Sequence, residues 1–212
     1  MREFLEIIRK PQSNHSISTK VLITIGIAVG GFLLGILQKW IDGSPSNVLP
    51  DILNYLDIRN YFGRLAIWIL LATIISIYAE TALRAAINTF MFFTSMLMGY
   101  YLYCHYVLGF LPRTYMMIWV VISIISFFLA FICWYAKGEG KFAIIISSVI
   151  LGVLFSQAIL IMQGIYVTHF LEVVTWIIGM VVLYRKPKEF AIEIGLSFVV
   201  AFLFQLVFPY FG

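Results

Sequence analysis

Val21–Trp40 reads VLITIGIAVGGFLLGILQKW, and its only charge is Lys39 near the end. A helix needs about 20 mostly apolar residues to cross the roughly 30 Å hydrocarbon core of a bilayer. This run has that length, so it predicts a membrane-crossing helix. Six further apolar runs follow, at Leu65–Tyr78, Ala85–Leu108, Tyr115–Tyr135, Phe142–Met162, Ile165–Tyr184 and Phe190–Tyr210. Of the 212 residues 62% are hydrophobic and 11% charged, against about 25% charged in ordinary soluble domains. That apolar excess is more than a core of this size can bury, so it has to face lipid. The expected fold class is all-α, a polytopic transmembrane helix bundle of about seven spans. Barrel strands would instead alternate in polarity over about ten residues at a time. The second run is short. The expectation is that it borrows length from Tyr61–Arg64, with Arg64 snorkelling toward water.

Basic residues concentrate on cytoplasmic segments of membrane proteins. With the N-terminus inside, ten of the 14 Lys and Arg fall inside: Arg2, Arg9, Lys10, Lys20, Arg84, Lys137, Lys141, Arg185, Lys186 and Lys188. Only Lys39, Arg59, Arg64 and Arg113 fall outside. The expected orientation is N-terminus in the cytoplasm and C-terminus outside. The formal net charge of +4 is then an orientation signal, and no nucleic-acid partner is implied. The first run is too long for a cleavable signal core and has no small-residue cleavage site after it, so it reads as a signal anchor. Cys104 and Cys133 fall toward opposite ends of the third and fourth helices, on the order of 20 Å apart. That is too far for a disulfide.

Little of the chain lies outside the bilayer. Residues 1–20 form a cytoplasmic segment, in which Arg2–Lys10 has the pattern of an interfacial helix or a basic tail. Residues 21–212 form a single transmembrane domain. Its one sizeable external segment, 41–63, opens with a Gly-Ser-Pro-Ser-Asn turn. Leu49, Ile52, Leu53 and Leu56 then recur at helical spacing behind Pro50, which predicts a short amphipathic helix on the outer surface.

Polar residues inside the spans are the candidates for function, because an intramembrane charge is costly unless it is used. Glu172 lies in the outer half of the sixth helix, and His169 precedes it by three residues on the same face. His105, Gln157 and Gln205 have similar expected depths in the third, fifth and seventh helices. Together Glu172, His169, His105, Gln157 and Gln205 are the candidate ligand- or proton-binding residues of an outward-facing cavity. His105, His169 and Glu172 supply three metal-capable ligands. No His-Glu-x-x-His motif or second acid accompanies them, so no cofactor or metal is assigned. Glu80 and Arg84, spaced i, i+4, predict a local ion pair. Glu193 is expected to reach the inner interface, and Arg185, Lys186 and Lys188 to meet anionic head groups. The pairs Gly26/Gly30 and Gly31/Gly35 let helix backbones approach closely in lipid. They serve packing within the bundle or docking of a protein partner.

Gly63-Arg64-Leu65, Leu83-Arg84-Ala85-Ala86-Ile87-Asn88 and Phe131-Ile132-Cys133-Trp134-Tyr135-Ala136-Lys137-Gly138 resemble an uncharacterised family of multi-pass membrane proteins from Gram-positive bacteria. The resemblance covers about Gly31–Leu151. It implies a shared fold and a bacterial plasma-membrane location, and carries no catalytic residues across. The leading functional expectation is a small-solute transporter or the substrate-binding membrane subunit of one, with the bilayer and a small molecule or ion as partners. The rivals are an intramembrane, metal-dependent enzyme and a non-catalytic partner or immunity-type protein. A non-enzymatic role is preferred.

Overall fold

The computed structural model describes residues 6–12, 15–45, 48–161 and 164–208. Its helices are α1 (Ile17–Gly43), α2 (Asp51–Tyr55), α3 (Ile58–Tyr61), α4 (Leu65–Ile77), α5 (Ala82–Tyr106), α6 (Arg113–Cys133), α7 (Gly140–Ala158), α8 (Phe170–Leu183) and α9 (Pro187–Val207). A 3₁₀ turn, Trp134–Lys137, extends α6. Two-residue strands β1 (Ile159–Leu160) and β2 (Tyr166–Val167) pair antiparallel between α7 and α8.

Local chemistry sets several boundaries. The Ser16 hydroxyl accepts from the Thr19 amide at 3.2 Å and opens α1. Thr81 does the same for Arg84 at 3.1 Å and opens α5; such caps satisfy otherwise orphaned donors. Pro187 stands in the first turn of α9, where its missing N–H costs nothing.

Each of the seven expected runs contains a helix. Among the described residues, four helical segments are long and apolar enough to cross a membrane: Ile17–Gly43, Met116–Lys137, Gly140–Ala158 and Pro187–Val207. The chain is thus a helical membrane protein in contact with lipid. α4 and α8, with 13 and 14 residues, are only about 20 Å long at 1.5 Å per residue. α4 does not borrow Tyr61–Arg64. The Phe62 carbonyl accepts from Gln38 Nε2 at 3.1 Å and Trp68 Nε1 at 2.9 Å, which pins residues 62–64 as a turn between α3 and α4. α8 does not start at Ile165, because the Thr168 hydroxyl and amide bind the Gln157 and Ala158 carbonyls and hold the chain against the end of α7.

α1 and α5 run parallel and touch backbone to backbone. A Cβ on Gly31 would overlap the Phe92 carbonyl, one on Gly35 the Met96 carbonyl, and one on Gly99 the Phe32 carbonyl. α9 lies on α7 in the same way at Gly152, and α8 meets α7 at Gly179. α4 and α8 start at one end of the bundle, called here the Arg64 end, and finish at the other, the Arg185 end. The main core gathers Trp68 of α4, Phe92, Phe93, Met96 and Tyr100 of α5, and Trp119 of α6. Trp68 stands edge-on to Trp119 at 6.4 Å. Large apolar side chains such as Leu22, Ile25, Val29, Ile124, Phe128, Phe202 and Leu206 point outward, as lipid contact requires.

Residues 6–12, ahead of α1, are bonded to the bundle. Residues 6–8 are helical, and Ile8 is buried beside Trp134 and Ala143. Arg9 donates to the Ile77 carbonyl at 2.8 Å and the Trp134 carbonyl at 2.5 Å. Residues 2–5 of the expected interfacial helix, Ser46 and Asn47 of the expected turn, and the end of the last run beyond 208 lie outside the described residues.

Candidate functional site

The segment ahead of α4 forms two short helices, α2 and α3, in place of one. Asp57 separates them with φ +53°, a left-handed conformation that Asp tolerates better than most residues. This break aims the Asp57 carboxylate inward. Its Oδ1 accepts from Asn60 Nδ2 at 2.7 Å and its Oδ2 from Arg64 Nη1 at 2.8 Å. Arg64 in turn donates through Nε to Glu172 Oε1. Glu172 sits in the first turn of α8, where the helix dipole favours an anion, and is 1% exposed. His169, the residue before α8, brings Nε2 to 3.8 Å from Asp57 Oδ2. One turn below Glu172, the Thr175 hydroxyl donates to the Leu171 carbonyl at 2.7 Å. Its single proton is then used, so the Tyr61 hydroxyl donates to Thr175 Oγ1, at 2.6 Å.

The result is a continuous chain, His169–Asp57–Arg64–Glu172, buried at one end and open at the other. Burial pushes the Asp57 carboxyl up, but hydrogen bonds from Arg64 and Asn60 and the Arg64 charge hold it below the usual carboxylate range. Burial pushes the Tyr61 phenol up, and the Glu172 charge adds to that. Glu172 Oε2 and Arg64 Nη2 are buried with no hydrogen-bond partner among the described residues. A buried polar atom left so is costly, and both sit on the same ion pair.

Two recesses open at this end. One, of about 380 Å³, is lined by Asp42, Asn54, Asp57, Arg59 and Asn60. The other, of about 310 Å³, shares Asp42 and Arg59 and continues to Lys39, Tyr100 and Phe110. Lys39 is buried, paired with Asp42 at 2.5 Å, and lies over the Tyr100 and Phe110 rings at 5.3 and 5.5 Å.

The other candidates from the sequence go elsewhere. His105 is exposed and stands edge-on to the Tyr106 ring at 4.7 Å. Gln157 is buried near the end of α7 and offers its carbonyl to Thr168. Gln205 is 2% exposed and fully committed, donating to the Ser156 and Ile159 carbonyls at 3.0 and 2.7 Å and accepting from the Ile161 amide at 2.9 Å. It stitches α9 to the point where α7 unwinds. Among the described residues no three His, Cys, Asp or Glu converge to hold a metal ion.

Several expected charge roles change. Arg64 turns inward to Glu172 and does not snorkel, because water offers less than a buried carboxylate that would otherwise stand alone. Arg185 does not reach for head groups. It is half-buried, with Nε 3.3 Å from Glu193 Oε2, and donates to Ser147 Oγ at 2.9 Å and to the Ala136 and Gly138 carbonyls. Those carbonyls end the α6 extension, where a cation is favoured. Glu193 is fully buried there. Glu80 pairs with His15 and with Lys20 at 3.0 Å, not with Arg84. Burial pushes the Glu80 carboxyl up, but these two partners hold it below its usual range.

Sequence reasoning missed Asp57, Tyr61, Arg64 and Thr175 as neighbours of Glu172. A signal was available in that a lone intramembrane acid demands a cation, and Arg64 borders the shortest apolar run. The class that fold and site define is a helical membrane protein with a buried ion-pair network beneath a polar recess. No family model, curated protein or solved structure matches the chain.

Proposed function

We propose that the chain is a multi-pass plasma-membrane protein of seven spans that binds a small polar solute at the Arg64 end. It acts as a transporter or as the substrate-binding membrane subunit of one. In this reading the Arg64 end faces outside and the N-terminus lies in the cytoplasm, as the distribution of Lys and Arg favours. The resemblance to the uncharacterised Gram-positive family supports the plasma-membrane assignment.

The observation that carries the proposal is Glu172, an intramembrane acid with one oxygen unpartnered, linked through Arg64 to Asp57 on the wall of the recess. A solute with a cationic group meets Asp42 and Asp57. One with a carboxylate as well also meets Arg59. Amino acids and small amines therefore fit this lining best. Binding competes with Arg64 for Asp57 and so loads or unloads the Arg64–Glu172 pair.

The test is thermal stability of the purified protein against amino acids, amines, vitamins and metal ions, in the native chain and in Asp57→Asn and Glu172→Gln. A ligand bound only by the folded state stabilises by about 2.7 kcal/mol at a hundredfold excess over its Kd. The expected result is a stabilising solute whose effect is lost in Asp57→Asn and changed in pH dependence in Glu172→Gln. A solute that stabilises all three proteins equally would move the site away from this network.

A further inference from the structure

At the Arg185 end, α1 and α4 each pack on α5 and leave a cleft of about 240 Å³ between them. Its long walls are apolar, with Ile27 of α1 and Ile75 of α4 among them. Its polar end holds His15, Lys20, Glu80 and Arg84. Glu80 is already held by His15 and Lys20. Among the described residues the Arg84 guanidinium meets no carboxylate. Arg84 also stands in the first turn of α5, where helix N–H groups and the dipole favour an anion. The cleft therefore has an apolar slot and a polar end with surplus positive charge. Ile23 and Tyr78 at its edge are exposed, on the side of the bundle that meets lipid.

We propose that this cleft binds one anionic phospholipid, with the phosphate at Arg84 and Lys20 and an acyl chain between Ile27 and Ile75. Charge complementarity selects the occupant. An anionic head group offsets the surplus charge, and a zwitterionic one brings its own cation. The slot from Lys20 to Ile27 runs about 10 Å at helical rise, enough for the upper part of an acyl chain. A free phosphate would leave that slot empty.

Native mass spectrometry of the purified protein, mixed with phosphatidylglycerol and phosphatidylcholine of identical chains, tests this. The expected result is one retained phosphatidylglycerol in preference to phosphatidylcholine. Arg84→Gln should lower that preference roughly fivefold, the worth of one basic residue at an anionic surface. Lys141→Gln, which removes an exposed basic residue outside the cleft, should keep it. Ile75→Trp, which fills the slot and spares the charges, should also release the lipid, and a thermal midpoint for each variant reports whether it folds. Equal retention of the two lipids, equal loss in Arg84→Gln and Lys141→Gln, or retention in a folded Ile75→Trp would each overturn the proposal. So would inorganic phosphate displacing the lipid at equal concentration.

Discussion

Glu172 and Arg64 are separated by 108 positions in sequence and depend on each other in space. Removing one member of a buried ion pair strands the other, at a typical cost of about 3–5 kcal/mol. Arg64→Ala is therefore expected to lower the unfolding midpoint in detergent sharply, while Glu172→Gln, which leaves a neutral amide facing Arg64, should lower it less. A second site variant that restores stability, Arg64→Met with Glu172→Met, would show that the pair serves function more than folding. Asp57 gives a pH test. Its folded carboxyl is held below the ordinary range, so it contributes stability above the unfolded value of about 3.9. That contribution is lost as pH falls through the lower folded value. Asp57→Asn should flatten stability in the acid range, and a native and variant pair with the same acid profile would exclude the linkage.

At the scale of elements, glycine decides which helix faces touch. Gly35 leaves no room for a Cβ against the Met96 backbone, whereas Gly26 and Gly30 meet nothing within 4 Å. Gly35→Leu should destabilise by about 3 kcal/mol or more, because the obstacle is backbone and cannot rotate away. Gly30→Ala should be neutral or slightly stabilising, since Ala is the better helix former. Thermal midpoints of the two variants check this contrast. The two small-xxx-small pairs look alike in sequence and differ only in what lies opposite. The segment that holds α2 and α3 teaches the same lesson. The spacing of Leu49, Ile52, Leu53 and Leu56 predicts a short amphipathic helix, and the helix formed there, Asp51–Tyr55, is shorter still and starts after Leu49. Leu49 is buried and Ile52 is 59% exposed, so the periodicity does not describe one face.

For the whole molecule, the proposed topology places Arg59 and Lys188 on opposite sides of the membrane. In intact cells a membrane-impermeant maleimide should label Arg59→Cys and spare Lys188→Cys until the cells are opened. Cys104 is buried and should stay unlabelled in both. The reverse pattern would invert the orientation. Helical class and the positions of the apolar segments were legible in the sequence, because lipid contact and helix length act locally and leave a local record in composition. The candidate acid was legible too, since a charge inside an apolar run stands out. Its partners were not. Gln205 and Gln157 have the same depth signature as Glu172, yet Gln205 repairs the carbonyls and amide that α7 leaves where it unwinds. Arg64 and Arg185 have the signature of interfacial cations, yet each turns inward to a buried carboxylate. Which polar group meets which depends on helix rotation and on loops that fold back over the bundle. Those are settled by packing among elements distant in sequence, so only the tertiary structure decides them.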